Sequence, residues 1–173
     1  MYDKLLRPRK PTFYIINITK SALDEVVGKI KNNGGNVLIS ILRGERSKTV
    51  QSFFNEASSA LQFPDYFGKN WSAFDDCITD LEWLGLEKEA YILLIENANL
   101  LLESADIEDF DVLIDILDLA NEEWKSRASF NSIPGVHLSK AFHVVFQVEQ
   151  EGELSFTDKL CQTSKEFETL ELE

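Results

Sequence analysis

Apolar positions recur along this chain with two different periods, and the two periods alternate from one end to the other. Short β-branched and aromatic runs predict strands at residues 12–18, 36–42, 91–96 and 142–148. Apolar residues at helical spacing predict helices that begin at Ser21, near a capping Ser47, after a capping Asn70, and at Ser104 or Asp106. The last of these helices runs to about Arg127, and Pro134 and Gly135 predict a loop at 128–138.

Alternation of strands and helices favours the α/β fold class. We expect a small, mostly parallel sheet of about three to four strands, covered by helices in a two-layer or three-layer-like arrangement. In the acidic tail that follows Gln150, Phe156, Leu160 and Phe167 form a weak helical pattern. The pattern leaves open whether the first strand and helix extend the sheet or form a separate cap.

Composition and charge limit the classes of function that this protein can have. The chain has 173 residues, 44% of them apolar, which is enough for one core. It contains no apolar run of about 20 residues and no signal-peptide pattern near its start, so we expect a cytoplasmic protein without membrane contact. The net charge is −13, and residues 65–123 hold 17 Asp/Glu against Lys69 and Lys88, which gives −15. Such a segment repels nucleic acid and attracts basic proteins.

The cysteines and histidines lack the spacing that catalysis or metal binding requires. Cys77 and Cys161 lie far apart and are expected to be free thiols, with Cys77 in the core. His137 and His143 have no nucleophile or acid placed beside them by a motif. The sequence therefore predicts a protein without catalytic residues or a cofactor.

A metal-dependent enzyme is the main rival interpretation. Carboxylates for Mg²⁺ or Ca²⁺ would come from Asp75, Asp76 and Asp80, or from the run at 106–111. That run lacks the glycine and the terminal glutamate of an EF-hand loop, and carboxylates at a helix start are explained by the helix dipole. We expect no metal site.

The helix after Asn70 has two distinct faces. Its apolar face is formed by Trp71, Phe74, Ile78 and Leu81. Its second face is polar and acidic and consists of Ser72, Asp75, Asp76, Thr79 and Trp83. The two adjacent carboxylates either stabilise the helix dipole or form a surface that binds arginine, with Tyr66 of the preceding loop as an aromatic contact. Gly68 in that loop is suited to a positive φ.

Residues 63–79 (FPDYFGKNWSAFDDCIT) resemble the signature of the barstar (barnase inhibitor) family. The resemblance extends over about residues 36–148, which leaves an N-terminal extension at 1–35, with a possible strand and helix, and an acidic C-terminal extension at 149–173. It implies a barstar-like fold and a surface that binds the partner through Tyr66, Phe67, Gly68, Asn70, Ser72, Asp75, Asp76, Thr79 and, from the long helix, Asp118.

The roles within that surface also come from the resemblance. Tyr66 matches a tyrosine that packs on the nuclease, and Asp76 matches an aspartate that enters the nuclease active site. Gly68 and Asn70 match the turn and the cap of the loop. The sequence departs from the family at Ser72, where the best-studied inhibitors have a second aspartate, and at Asp75, where they have a tryptophan.

The resemblance implies an intracellular inhibitor of a basic ribonuclease that blocks the active site with an acidic helix and the loop before it. The departures at Ser72 and Asp75 keep two alternatives open. One is an immunity protein or antitoxin for a different toxin, such as a deoxyribonuclease. The other is a non-inhibitory interaction scaffold that shares the fold.

Overall fold

The computed structural model describes residues 2–32, 36–85, 88–126 and 140–171. Within these ranges five segments are strands, namely β1 (Phe13–Asn17), β2 (Val37–Arg43), β3 (Ala90–Glu96), β4 (Ala141–Val148) and β5 (Phe167–Thr169). The α-helices are α1 (Tyr2–Leu5), α2 (Lys20–Asn32), α3 (Val50–Ala60), α4 (Trp71–Asp80), α5 (Ile107–Ser126) and α6 (Glu153–Gln162). The predicted loop at 128–138 and His137 lie outside the described residues.

The strands form a single parallel sheet with the order β2-β3-β4-β1-β5. This confirms the α/β class, but the sheet has five strands where three to four were expected. The additional strand is β5, in which Phe167 pairs with Phe13. Helix α6 ends at Gln162, so the helical pattern that was expected to continue to Phe167 stops before it.

Helices cover both faces of the sheet, which makes the arrangement three-layered. Alternate side chains of each strand point to opposite faces. On one face, α3, α4, α5 and α6 bury large side chains over Phe13 and Ile15, including Phe53, Phe74, Trp124 and Phe156. On the other face, α2 packs Leu23 and Val27 against Tyr14 and Ile16. Because each buried aromatic or aliphatic side chain stabilises the fold by about 1.5–3 kcal/mol, the larger cluster fixes α4 and α5 firmly.

Helix α3 is capped differently from the expectation. The N-cap is Thr49, whose side chain accepts from the Ser52 amide while the Ser52 side chain accepts from the Thr49 amide. Ser47 does not cap the helix, because a turn at Gly44–Arg46 precedes it and the Ser47 hydroxyl donates to the Arg43 carbonyl at 3.0 Å. A reciprocal box of this kind satisfies two amides at once.

Ion pairs connect the basic N-terminal segment with acidic residues from later in the chain. Lys4 and Arg9 reach Glu168 at 2.7 and 2.9 Å, and Lys10 bonds Asp118 of α5. Each exposed pair contributes about 0–1 kcal/mol, so together they hold this segment along α5 and β5. No helix of the described residues is long and apolar enough to cross a membrane.

Candidate partner-binding surface

The loop between α3 and α4 is held from inside by aromatic rings. The Phe63 and Phe67 ring centroids are 4.7 Å apart, and Phe67 also packs on Phe54 of α3. Phe67 was expected to contact a partner, but only 7% of it is exposed, so it supports the loop instead. Tyr66, its neighbour, is 75% exposed and points away from this cluster. The loop therefore exposes the ring of Tyr66, and the buried rings of Phe63 and Phe67 hold it in place.

Gly68 and Asn70 form a second support for the loop. Asn70 caps α4, because its Oδ1 accepts from the Ala73 amide at 2.9 Å, and its Nδ2 donates to the Gly68 carbonyl at 3.2 Å. The positive φ expected at Gly68 is found instead at Lys69, where φ is 48°. A Cβ on Gly68 would lie 2.9 Å from Asn70 Nδ2, so glycine is needed here to make room for the cap.

Helix α4 buries one face and exposes another, as its sequence predicts. Phe74, Cys77 and Ile78 are buried in the core, whereas Ser72 and Asp76 are exposed. Asp75 and Thr79 are half-buried, and the Thr79 hydroxyl donates to the Asp75 carbonyl of its own helix at 2.8 Å.

Trp83 does not extend the acidic face of α4. Leu81 adopts a left-handed conformation with φ 47° and ends the helix, and a short turn at Glu82–Leu84 follows. Within that turn the Trp83 indole donates to the Leu61 carbonyl at 2.8 Å and its ring packs on Phe63. Trp83 therefore supports the base of the loop.

The carboxylates of Asp75 and Asp76 are uncompensated. Within the described residues, neither carboxylate has an ion pair or a hydrogen-bond partner. Burial raises the pKa of Asp75, and the adjacent charge of Asp76 raises it further. A cation placed against Asp75 would offset both effects.

Asp118 is not brought together with these carboxylates. It follows Asp109 on α5 by about two and a half helical turns, so it lies on the opposite side of the helix from Asp109, which contacts α4 through Trp71. Its carboxylate bonds Lys10 and Thr12 and lies 3.5 Å from Lys165. The hydrogen bonds from Lys10 and Thr12 hold its pKa below the ordinary value in spite of burial.

Two exposed apolar side chains of α5 were missed by the sequence interpretation. Val112 and Leu119 of α5 are apolar, yet 39% and 57% of them are exposed. Leu119 follows Val112 by seven residues, so the two lie on one stripe of α5. The sequence signal that could have revealed these two side chains is an apolar stripe on α5 that is wider than packing in the core requires.

Other parts of the chain offer weaker candidate sites. The described residues contain no group of three or more His, Cys, Asp or Glu side chains able to hold a metal ion. His143 is buried, with Nε2 2.9 Å from the Arg7 carbonyl, and burial lowers its pKa. An open cavity of about 590 Å³ lies where β1 and β4 end, lined by Asn17, Ile18, Thr19, Glu149, Gln150 and Glu151.

Solved structures show a likeness of fold. The Aeropyrum pernix ORC2 protein, in its ADPNP and ADP complexes, has a TM-score of 0.56 and 11% identity, covering 98% of this chain and 44% of that one. The Drosophila ORC bound to AT-rich DNA and Cdc6 gives a TM-score of 0.45 and 12% identity, covering 92% of this chain and 48% of that one. This chain therefore spans less than half the length of those chains.

Sequence comparison gives a more specific result. No curated protein matches the chain as a sequence relative. A family description, "Barstar (barnase inhibitor)", matches residues 38–147, which is more than half of the chain. The matched range includes β2, β3 and β4 with the Tyr66 loop, α4 and α5 between them. The chain therefore belongs to the barstar family.

Proposed function

We propose that this protein inhibits a ribonuclease by inserting α4 and the Tyr66 loop into the active site of the nuclease. The observation that carries the proposal is the pair of uncompensated carboxylates, Asp75 and Asp76, beside an exposed tyrosine on a rigid loop. Family membership supports the same function. The protein is then a non-catalytic binding partner that needs no cofactor.

The chemistry of the target explains why carboxylates suit this task. A ribonuclease stabilises a negatively charged phosphoryl transition state, so its active site is rich in arginine, lysine and histidine. Carboxylates on a helix occupy the place of substrate phosphate and accept the same hydrogen bonds. Each such bond to a charged group contributes about 1.5–3 kcal/mol. Because α4 is already fixed by the core, little conformational entropy is lost on binding.

We assign different roles to the predicted contact residues according to their exposure. Asp76, Ser72 and Tyr66 are exposed and make direct contacts, while Asp75 adds a partly shielded charge. Gly68, Asn70 and Phe67 hold the loop that carries Tyr66, and Thr79 closes the end of the polar face. Asp118 lies on the far side of α5, where Lys10 and Lys165 neutralise its charge, so we assign it no direct contact.

Charge also affects how quickly the partners meet. The proposed surface belongs to the −15 segment at 65–123, and a basic nuclease is drawn toward this charge over distances of about 10 Å at moderate salt. The same charge opposes binding of nucleic acid by the inhibitor itself. A cell that makes a nuclease needs the inhibitor where the nuclease is synthesised, which favours the cytoplasm.

Two alternatives use the same surface. Ser72 and Asp75 replace the aspartate and tryptophan of the best-studied inhibitors, and this change in the placement of charge favours a different toxin as the target. An immunity protein or antitoxin for such a toxin would keep the uncompensated carboxylates. A non-inhibitory scaffold of the same fold would have no need for them.

The proposal is tested by titrating purified protein into barnase-type ribonucleases and measuring RNA cleavage together with binding heat. We expect inhibition that saturates at one inhibitor per nuclease. Asp76→Ala should weaken binding more than the matched variant Asp80→Ala, because Asp80 lies at the edge of the acidic face. Equal losses from the two variants would contradict the proposed surface, and cleavage that persists at excess inhibitor for every nuclease would contradict the function.

A further inference from the structure

Strand β2 forms one edge of the sheet, and its outer side is open. Within the described residues it pairs with β3 alone, in an unbroken register from Val37 to Arg43. The opposite edge is closed: β5 has only three residues, and Lys4 and Arg9 form ion pairs with its Glu168. A short, charged edge strand discourages another chain from pairing with it. β2 has neither protection, because it is seven residues long and carries no charge before Arg43.

The backbone of β2 shows which of its groups point outward. Successive residues of a strand turn their amide and carbonyl groups to alternate sides. The Asn36 carbonyl accepts from the Glu89 amide at 2.7 Å, so position 36 and the even-numbered positions after it face β3. The Arg43 amide donates to the Glu56 carboxylate at 3.3 Å, so the odd-numbered positions face away from the sheet.

The outward groups of β2 have partners at one end of the strand only. At Arg43, the Glu56 carboxylate accepts from the amide and the Ser47 hydroxyl donates to the carbonyl at 3.0 Å. The outward-facing residues before Arg43, which we call the open edge, are Val37, Ile39 and Ile41. Among the residues that the structure describes, nothing bonds the amides or carbonyls of the open edge. A row of unpaired backbone groups is a template for another strand.

The side chains around the open edge are apolar or small. Those of the open edge itself pack on the α2 face of the sheet, where they are only half-buried. On the other face, Glu56 of α3 contacts β2, and Ser52 and Ala60 lie one turn to either side of Glu56 on the same side of the helix. Because Ser52 and Ala60 are short, they leave the edge accessible to another strand.

Charge favours a second copy of this chain as the occupant of the open edge. The whole chain carries −13, yet residues 20–60, which contain α2, β2 and α3, hold six Lys/Arg against four Asp/Glu. Two copies can therefore meet here through a nearly neutral segment, whereas a basic partner is drawn to the acidic segment at 65–123 instead. β2 is also uncharged from Val37 to Leu42, so pairing with itself places no like charges opposite each other.

We propose that the open edge pairs antiparallel with the open edge of a second copy, with the two-fold axis beside Ile39. Val37 of each copy then lies opposite Ile41 of the other, and the two Ile39 residues lie opposite each other. Every amide and carbonyl of the open edge gains a partner, and the half-buried side chains form apolar pairs across the contact. The dimer does not depend on the inhibitor function, because β2 carries none of the residues assigned to that function.

Sedimentation equilibrium of the full chain over a range of concentrations tests the dimer. Ile39→Lys should raise the dissociation constant about 100-fold or more, because two like charges then meet at the axis. Leu154→Lys is the matched control, since it places lysine at an exposed aliphatic position on α6, and it should shift the constant less than about twofold. Melting temperatures verify that both variants are folded. A natural chain that is still a monomer at about 1 mM, where even very weak complexes form, would overturn the proposal.

A complementary pair of variants tests the position of the axis. Ile39→Glu should weaken the dimer as Ile39→Lys does. An equimolar mixture of the two should associate at least about tenfold more tightly than either variant alone, because opposite charges then face each other. A mixture that associates no better than its components, or an Ile39→Lys chain that dimerises like the natural one, would show that β2 does not form the contact.

Amide hydrogen exchange tests the natural chain without any substitution. The amides of Leu38, Ser40 and Leu42 face β3, so they should exchange slowly at every concentration. The amides of the open edge should exchange quickly in the dilute chain and slowly once the dimer has formed. Fast exchange of the open edge at concentrations where the chain is dimeric would place the contact elsewhere and refute this arrangement.

Discussion

Asn70 connects the stability of α4 with the geometry of the Tyr66 loop, so its replacement has two measurable effects. Its Oδ1 accepts from the Ala73 amide, and its Nδ2 donates to the Gly68 carbonyl. Asn70→Ala removes both bonds, and loss of an N-cap typically costs about 1 kcal/mol. For a chain of this size, 1 kcal/mol corresponds to a fall in melting temperature of about 2–4 °C.

Two further substitutions separate the effects. Asn70→Asp keeps an acceptor for the Ala73 amide but loses the donor to Gly68. It should therefore retain most of the stability while weakening nuclease binding, because the loop that presents Tyr66 is less ordered. Calorimetric melting and titration against the nuclease measure the two effects. If Asn70→Ala melts within about 1 °C of the natural protein, the cap contributes little and this reasoning is refuted.

Three other outcomes follow from the surface. Asp75→Asn should raise the free energy of unfolding at pH 7, because the raised pKa of Asp75 in the folded state means that its charged form destabilises the fold. The gain should shrink as pH falls through that pKa toward 3.8, the ordinary value. A gain that stays constant with pH in chemical denaturation would contradict this. Tyr66→Ala should weaken nuclease binding without changing the melting temperature, because the ring is 75% exposed, and a large loss of stability would show the ring to be structural. The association rate, measured by stopped flow, should fall as salt rises, and a rate that does not change would rule out electrostatic attraction by the −15 segment.

Local features of the fold could be predicted because they depend on short stretches of sequence. The β-branched runs became β1 to β4, and Asn70 caps α4 as its position indicated. Strand β5 was missed because it has only three residues and follows a helix whose apolar spacing appeared to continue to Phe167. The order of strands was also beyond prediction, since it depends on which distant segments pair.

The candidate site was only partly predictable for a related reason. Residue types identified the acidic face, but burial of Phe67 depends on packing against Phe54 and Phe63, which lie on separate segments. The direction of Asp118 depends on which segments flank α5, and those come from the two ends of the chain. Gly68 is required not for a positive φ, which lies at Lys69, but because a Cβ there would crowd the Nδ2 atom of Asn70, and this crowding depends on the direction of the Asn70 side chain.

The position of β1 between β4 and β5 has a consequence for synthesis. β1 leaves the ribosome before its neighbours in the sheet, at residues 141–148 and 167–169, are synthesised. Pairing between segments so distant in sequence slows folding, and the nascent chain keeps an unpaired apolar strand until β4 has emerged. Chaperone binding during translation should therefore concentrate on residues 13–17.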